Sequence, residues 1–140
     1  MASNYKVLID LNIILDALQH RQLYYEFSAR ILANAENQTI EGFISARSVT
    51  TLFYIIAKDS SADLARGVLT QLLSFLQVAA VTQETIEQAL NLPYRDFEDA
   101  VQIIAALQSG VDYLVTRNPQ DYKPPIIPVL QPAEFLALVS

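Results

Sequence analysis

The stretch Val7-Leu8-Ile9-Asp10-Leu11-Asn12-Ile13-Ile14-Leu15-Asp16 decides how this chain is read. Val7 to Ile9 is a short apolar run with β-branched residues, whereas from Asn12 onward Ile13, Ile14, Ala17 and Leu18 recur at helical intervals. A strand therefore gives way to a helix, with Asp10 at the junction. Parallel sheets covered by helices on both faces open their binding crevice at the carboxyl ends of the strands. Asp10 stands at such an end, where its carboxylate can face the crevice while the preceding side chains stay in the core. Asn12 and Asp16 follow closely. Asp10 and Asn12 read equally well as turn and cap residues, since short polar side chains accept from the first backbone N–H groups of a helix.

Two other acidic segments share that placement. Asp96-Phe97-Glu98-Asp99 precedes the helical run Phe97 to Gln108, closed by Gly110, a typical C-terminal stop. Asp96 and Asp99, three apart, share a face and can hold one ion; in isolation the stronger reading is an N-cap followed by a first-turn acid favoured by the helix dipole. Tyr113-Leu114-Val115 reads as a strand leaving through Thr116-Arg117-Asn118 into a turn with Pro119 and Asp121. There Asn118 can serve as a neutral ligand or bond a metal-bound water, Thr116 can hydrogen-bond a ligand, and Asp121 adds charge.

The rest of the chain fills in the frame. Helices are expected from about Leu23 to Asn37, from Ser48 to Ala57, from Ala62 to Leu76 after the caps Ser60-Ser61, from Thr82 to about Leu92, and from Pro132 to Val139. Gly42 to Ala46, Gln77 to Val81 and Ile127 to Leu130 read as further strands, with Lys123-Pro124-Pro125 as a loop. Strands alternating with one or two helices indicate an α/β fold: a largely parallel sheet of four to five short strands with about seven helices, in a single domain spanning residues 1–140.

Composition excludes several classes of function. With 140 residues, 52% of them hydrophobic, the chain can bury one sizeable core. Fifteen acidic against nine basic residues, a net charge of −6, argue against an extended footprint for duplex DNA, so any nucleic-acid contact must be local. The lack of cysteine removes disulfides, thiolate zinc sites and cysteine nucleophiles. No apolar stretch approaches the roughly 20 residues that span a bilayer, and Met1 to Lys6 shows no leader pattern, so a cytoplasmic location without membrane contact is expected.

Oxygen donors without thiols, and a single histidine, favour Mg²⁺ or Mn²⁺ over zinc, copper or iron. Such an ion lowers the pKa of an attacking water and neutralises charge on a phosphoryl oxygen, which suits phosphodiester hydrolysis. His20 lies far in sequence from the acidic segments, so a serine–histidine–carboxylate triad has no support. Arg47, Arg95, Arg117 and Lys123 fall near strand exits or acidic loops, where they can hold a phosphate backbone or stand as ordinary solvated charges. Tyr24, Tyr25, Tyr54 and Tyr122 can stack on bases, though tyrosines at helical spacing are more often rim or core.

In their order and spacing these segments resemble a PIN domain, the metal-dependent nuclease fold that includes the VapC-type toxins of bacterial toxin–antitoxin pairs. The resemblance runs from Val7 through Asp16, through Asp96 to Ala100 and an alanine-rich helix, to Leu114-Val115-Thr116-Arg117-Asn118. It implies a three-layer α/β/α fold and a Mg²⁺ or Mn²⁺ site that hydrolyses RNA. By position Asp10 is the first site acid and Asp99 the third, with Asp96 an added neighbour, so Asp10, Asp96 and Asp99 are the implied metal ligands and Asp10, Asp99 and Asn118 the implied catalytic set. Asn12, Thr51, Thr116 and Asp121 support them, and Arg47 and Arg117 contact substrate phosphate. Two positions depart from the family pattern: Thr51 stands where the central helix usually carries Glu, and Asn118 where Asp is frequent, with Asp121 three residues on. Removing those charges lowers attraction for a divalent cation. An antitoxin partner and a homodimer, for which Leu64 to Phe75 offers an apolar face, belong to the same expectation.

Two other readings stay open. One is a PIN-like module that has lost catalysis and binds RNA or protein, kept alive by Thr51. The other is a phosphotransfer receiver or phosphatase phosphorylated on Asp10; that class wants a paired acid near its first strand and a lysine after a late one, where this chain has Arg117.

Overall fold

Val7, Leu8 and Ile9 are all fully buried, as the uninterrupted apolar run requires of a strand covered on both faces. They form β1 (Lys6–Ile9), the central strand of a five-stranded, all-parallel sheet ordered β3-β2-β1-β4-β5, in a computed structural model that describes residues 4–139. The other strands are β2 (Glu41–Ser45), β3 (Leu76–Ala79), β4 (Tyr113–Val115) and β5 (Val129–Leu130). The helices are α1 (Leu11–Leu18), α2 (Tyr25–Glu36), α3 (Ala46–Asp59), α4 (Ala62–Leu72), α5 (Gln83–Ala89), α6 (Phe97–Gln108) and α7 (Pro132–Val139), with a short 3-10 turn at Pro119–Asp121. This is the three-layer α/β/α architecture that the resemblance implies, built on the largely parallel sheet that the alternation of periods predicts. The part of the leader expectation that falls on Met1 to Ser3 lies outside the described residues.

Period-two alternation along β1 divides the core. Val7 and Ile9 face one layer, where they meet Ile13, Ile14 and Leu15 of α1, Ile31 of α2, Leu52 of α3, Leu69 and Leu72 of α4, and Phe135 of α7. Leu8 faces the other, against Phe43, Leu114 and Ile103, Ala105 and Ala106 of α6. Each such buried aliphatic side chain contributes roughly 1.5–3 kcal/mol relative to exposure. Because both layers are filled, the polar side chains at strand ends have one outlet, the rim of the sheet.

Element ends differ from the sequence expectation where local hydrogen bonding takes over from periodicity. The helix expected from Ser48 starts at Ala46, because the Ser45 side chain accepts from the Ser48 N–H and caps it. The helix expected to reach Leu76 stops at Leu72, and β3 starts at Leu76, where Gly42↔Leu76 pairing recruits that residue to the sheet. A side chain at Gly42 would approach Leu76 Cδ2 to 2.6 Å and the Ala35 Cβ to 3.0 Å, so this position admits glycine alone without repacking. The expected strand Ile127 to Leu130 contracts to Val129–Leu130. Gly110 ends α6 at φ +74, with Val111 N–H returning to the Ala106 carbonyl at 3.2 Å. None of the helices among the described residues is long and apolar enough to cross a membrane.

Candidate active site

The order β3-β2-β1-β4-β5 reverses direction of growth between β1 and β4, and open α/β sheets bind ligands outside the strand carboxyl ends at such a switch point. Pairing of Ile9 with Val115 sets Asp10 beside Thr116 as both leave the sheet. The Asp10 N–H donates to the Val115 carbonyl at 3.1 Å, and the Thr116 N–H to that of Leu130 at 3.0 Å. Asp10 occupies the N-cap position of α1 with extended backbone, but its side chain makes no capping bond. Its carboxylate turns instead into the crevice, with Oδ2 accepting from Thr116 Oγ1 at 2.9 Å and Oδ1 from Gln102 Nε2 at 3.2 Å.

A cavity of about 140 Å³ opens there, lined by Asp10, Asn12, Ser45, Arg47, Glu98, Asp99 and Gln102 among others. Asp99, on the first turn of α6, is thus brought to the same cleft as Asp10. Burial pushes Asp10 above the usual carboxylate range, against the lowering effect of its bonds from Thr116, Gln102 and the Leu11 N–H and the charge of Arg117. Asp99 is pushed up to about 6, first by burial and then by the negative charge of Asp96, Asp121 and Asp10, while a hydrogen bond from Tyr122 works in the opposite direction. Excess negative potential has accumulated in this cleft.

Asp96 does not enter it. Its side chain accepts from the Glu98 N–H at 2.9 Å and caps α6, and it lines an adjoining outer basin with Asp99, Asp121, Arg95 and Lys123. Cap geometry decides here between the two readings of its position. Among the described residues no three acidic or histidine side chains gather closely enough to hold a metal, so the expected ligand set Asp10, Asp96 and Asp99 is not assembled. Two hard carboxylates facing one polar cavity do fit a magnesium-like cation, which binds through one or two carboxylates and keeps several waters. The repulsion that raises Asp99 is what such a cation would relieve.

The remaining expected residues fall around this pair. Asn12 lines the cleft. Thr51 does not; its hydroxyl accepts from Arg47 Nη1 at 3.3 Å. Arg47 also pairs with Glu98, and both line the cleft, so the cation expected at substrate phosphate is tethered at its mouth. The Asn118 N–H donates to Thr116 Oγ1 at 3.2 Å, while its side-chain oxygen accepts from Gln120 at 3.4 Å, outside the cleft lining. Arg117 is committed elsewhere. Its Nε lies 3.0 Å from Oδ2 of fully buried Asp16, as an ion pair without hydrogen-bond alignment, and its guanidinium stacks 3.9 Å from the Tyr24 ring centroid. Ser28 Oγ and Arg21 complete the surroundings of Asp16. His20 stacks on Tyr25 at 4.2 Å and takes no part.

Periodicity alone missed Gln102, Ser45 and Ser48, and Tyr122, expected among the tyrosines that can stack on bases, is instead buried and bonded to Gln102. Gln102 accepts from Ser45 Oγ at 3.1 Å and Ser48 Oγ at 3.4 Å, and donates to the Tyr122 hydroxyl at 2.8 Å as well as to Asp10. A signal was present: Gln102 is the one polar residue within Ala100 to Leu107, and buried polar groups are kept only with partners.

The PIN-domain family model matches residues 6–120, which contain both cleft acids. The chain belongs to the PIN-domain family. Its sequence is 24% identical over 135 residues to the protein named ribonuclease VapC1 of Aquifex aeolicus (strain VF5), covering 93% of this chain and 92% of the relative. The PIN fold seen here also matches a toxin–antitoxin complex from Klebsiella pneumoniae with TM-score 0.69 and 22% identity, over 90% of this chain and 97% of that one. It matches VapBC2 of Rickettsia felis, bound to a promoter DNA fragment, with TM-score 0.65 and 18% identity, over 90% and 98%.

Proposed function

We propose that this PIN domain is a metal-dependent endoribonuclease that hydrolyses RNA phosphodiester bonds, and that it is the toxin of a toxin–antitoxin pair. The observation that carries the chemistry is the convergence of Asp10 and Asp99 on one cleft at the sheet's switch point, with Thr116 and Gln102 both donating to Asp10. A bound Mg²⁺ or Mn²⁺ would supply a water of lowered pKa and offset charge on the phosphoryl oxygens. Asp10 and Asp99 would hold that ion, and the bonds from Thr116 and Gln102 leave Asp10 one fixed orientation. Thr116 is itself fixed by the Asn118 N–H, so Asn118 acts through the loop and not on the reacting atoms.

Arg47 is the phosphate contact best placed at the cleft mouth, reached by exchanging Glu98 for a phosphate oxygen. Arg95 and Lys123, on the outer basin, extend a short basic track for the strand. Arg117, held by Asp16, is left with the role of fixing the β4 exit. The names of the ribonuclease relative and of the toxin–antitoxin complexes support the substrate and partner assignments.

One observation favours a second reading, a module that binds RNA or protein without cleaving it: of the three acids that line the inner cleft Glu98 is paired with Arg47, which leaves Asp10 and Asp99, and Thr51 adds no charge. Cleavage of a panel of single-stranded and structured RNAs with Mg²⁺, Mn²⁺ or EDTA separates the two. Metal-dependent cleavage that falls by at least about a hundredfold in Asp10→Asn and Asp99→Asn is expected. A folded wild type that cleaves none of the panel with either ion would leave the binding module.

A further inference from the structure

Asp10 and Asp99 belong to separate elements, yet a side chain of α6 reaches from beside Asp99 across to Asp10. Gln102 lies three residues after Asp99 and so shares its face of α6. Its amide nitrogen has two protons, and both have acceptors: Asp10 Oδ1 at 3.2 Å and the Tyr122 hydroxyl at 2.8 Å. Its carbonyl oxygen takes the Ser45 and Ser48 hydroxyls at 3.1 and 3.4 Å, which fixes the amide orientation, since the flipped form would set that oxygen against the Asp10 carboxylate. The Tyr122 oxygen accepts from Gln102, which leaves the phenol's own proton available toward the Asp99 side of the cleft. Tyr122 is 2% exposed and packs edge-on to Tyr94 at 6.3 Å, and the Tyr94 hydroxyl is tied to the Pro124 carbonyl at 2.6 Å. The phenol therefore cannot swing away without breaking the wall behind it.

We propose that Gln102, held in place by Tyr122, is a positioning residue that ties Asp10 to the turn of α6 carrying Asp99, so that the two acids present themselves to a divalent cation as one preorganised unit. This rests on the reading of those two acids as the ion-holding pair. The bridge from α6 donates to Asp10, which suits a carboxylate that carries charge, and it makes up in rigidity for a site whose third acid, Glu98, is paired with Arg47. Outer-shell partners of metal ligands typically change affinity or activity by 10- to 100-fold.

The test is Mn²⁺ titration of the full chain, read by loss of the free-ion paramagnetic resonance signal, with RNA cleavage in parallel. Tyr122→Phe keeps the ring and removes only the hydroxyl; Gln102→Met keeps the volume and removes the amide. Each is expected to weaken Mn²⁺ binding by about tenfold or more while keeping the native circular-dichroism spectrum. The double variant should bind no more weakly than the poorer single one, since both changes break the same bridge. Wild-type affinity in Tyr122→Phe overturns the proposal, as do losses that multiply in the double variant. Should Gln102→Met fail to fold, Tyr122→Phe alone decides. Weakened variants of a wild type that binds Mn²⁺ but cleaves no RNA would keep the bridge and remove the nuclease; unchanged binding with intact cleavage would do the reverse.

Discussion

At the scale of single residues, Asp99 carries the sharpest consequence. Its carboxyl titrates near 3.8 as a free side chain and is pushed up to about 6 in the fold by burial and by Asp96, Asp121 and Asp10. Between those values the folded chain holds a proton that the unfolded chain has released, so this group's contribution to stability falls as pH rises from about 4 to about 6 and is flat above. The effect is at most about 1 kcal/mol, because Asp99 is half-buried and partly screened. Urea unfolding across pH 4 to 7 should show Asp99→Asn, a neutral mimic of the protonated acid, matching the wild type at the low end and gaining on it by up to about 1 kcal/mol as pH rises to about 6; a constant offset would sink the assignment. Mn²⁺ should stabilise the wild type more at pH 7 than at pH 5, since the ion competes with that proton. Asp10 and Asp99 were legible in the sequence because each follows a visible change of period. Gln102 was not, nor was the burial of Tyr122 against it in place of base stacking, since both depend on which side chains face each other across elements, and Arg117 was assigned to phosphate because nothing in its neighbourhood reveals the partner Asp16, 101 positions earlier.

At the scale of elements, the start of α3 joins secondary structure to the site. Ser45 ends β2, caps α3 by accepting from the Ser48 N–H at 3.2 Å, and bonds both Ser48 Oγ and Gln102. Ser61 caps α4 in the same way through the Leu64 N–H at 3.1 Å, but in an exposed setting with no second partner. Loss of a cap costs typically about 1 kcal/mol, and leaving a buried acceptor short of a donor adds about 1–3 kcal/mol. Ser45→Ala should therefore destabilise the chain by roughly 2–4 kcal/mol and Ser61→Ala by about 1 kcal/mol, measured as denaturation midpoints at equal slope. Equal losses would show that the Gln102 bonds contribute nothing. The elements themselves were readable from periodicity, including α7, whose Pro132 start and Val139 end stand as expected. Their ends were less so. The start of α3 was set by a side-chain cap, and the end of α4 by strand pairing between Leu76 and Gly42, a contact between positions that periodicity treats separately.

At the scale of the whole molecule, sequence order and spatial order part company: β1 lies between β2 and β4, and only that order brings Asp10 and Thr116 together. Parallel pairing and two-sided burial could be inferred from apolar runs, whereas strand order depends on long-range packing that no local pattern encodes. The same molecule carries a net charge of −6 and yet, on the reading given above, must hold a polyanion. Three exposed cations face the two basins, Arg47 at the inner cleft and Arg95 and Lys123 at the outer one. Single-stranded nucleic acid releases counterions such that log K falls with log salt at about −0.7 per neutralised phosphate, so three contacts give a slope near −2. Binding of a short fluorescent RNA to Asp10→Asn, followed by anisotropy between 50 and 200 mM KCl, should therefore weaken by on the order of tenfold, far less than for a basic-surfaced binder. Arg47→Ala should bring the slope to about −1.4, and Arg95→Ala and Lys123→Ala should each do the same. A slope steeper than about −4 would mean that the strand runs over cations outside these basins, and an unchanged slope in Arg47→Ala would mean that this side chain stays with Glu98 when RNA is bound.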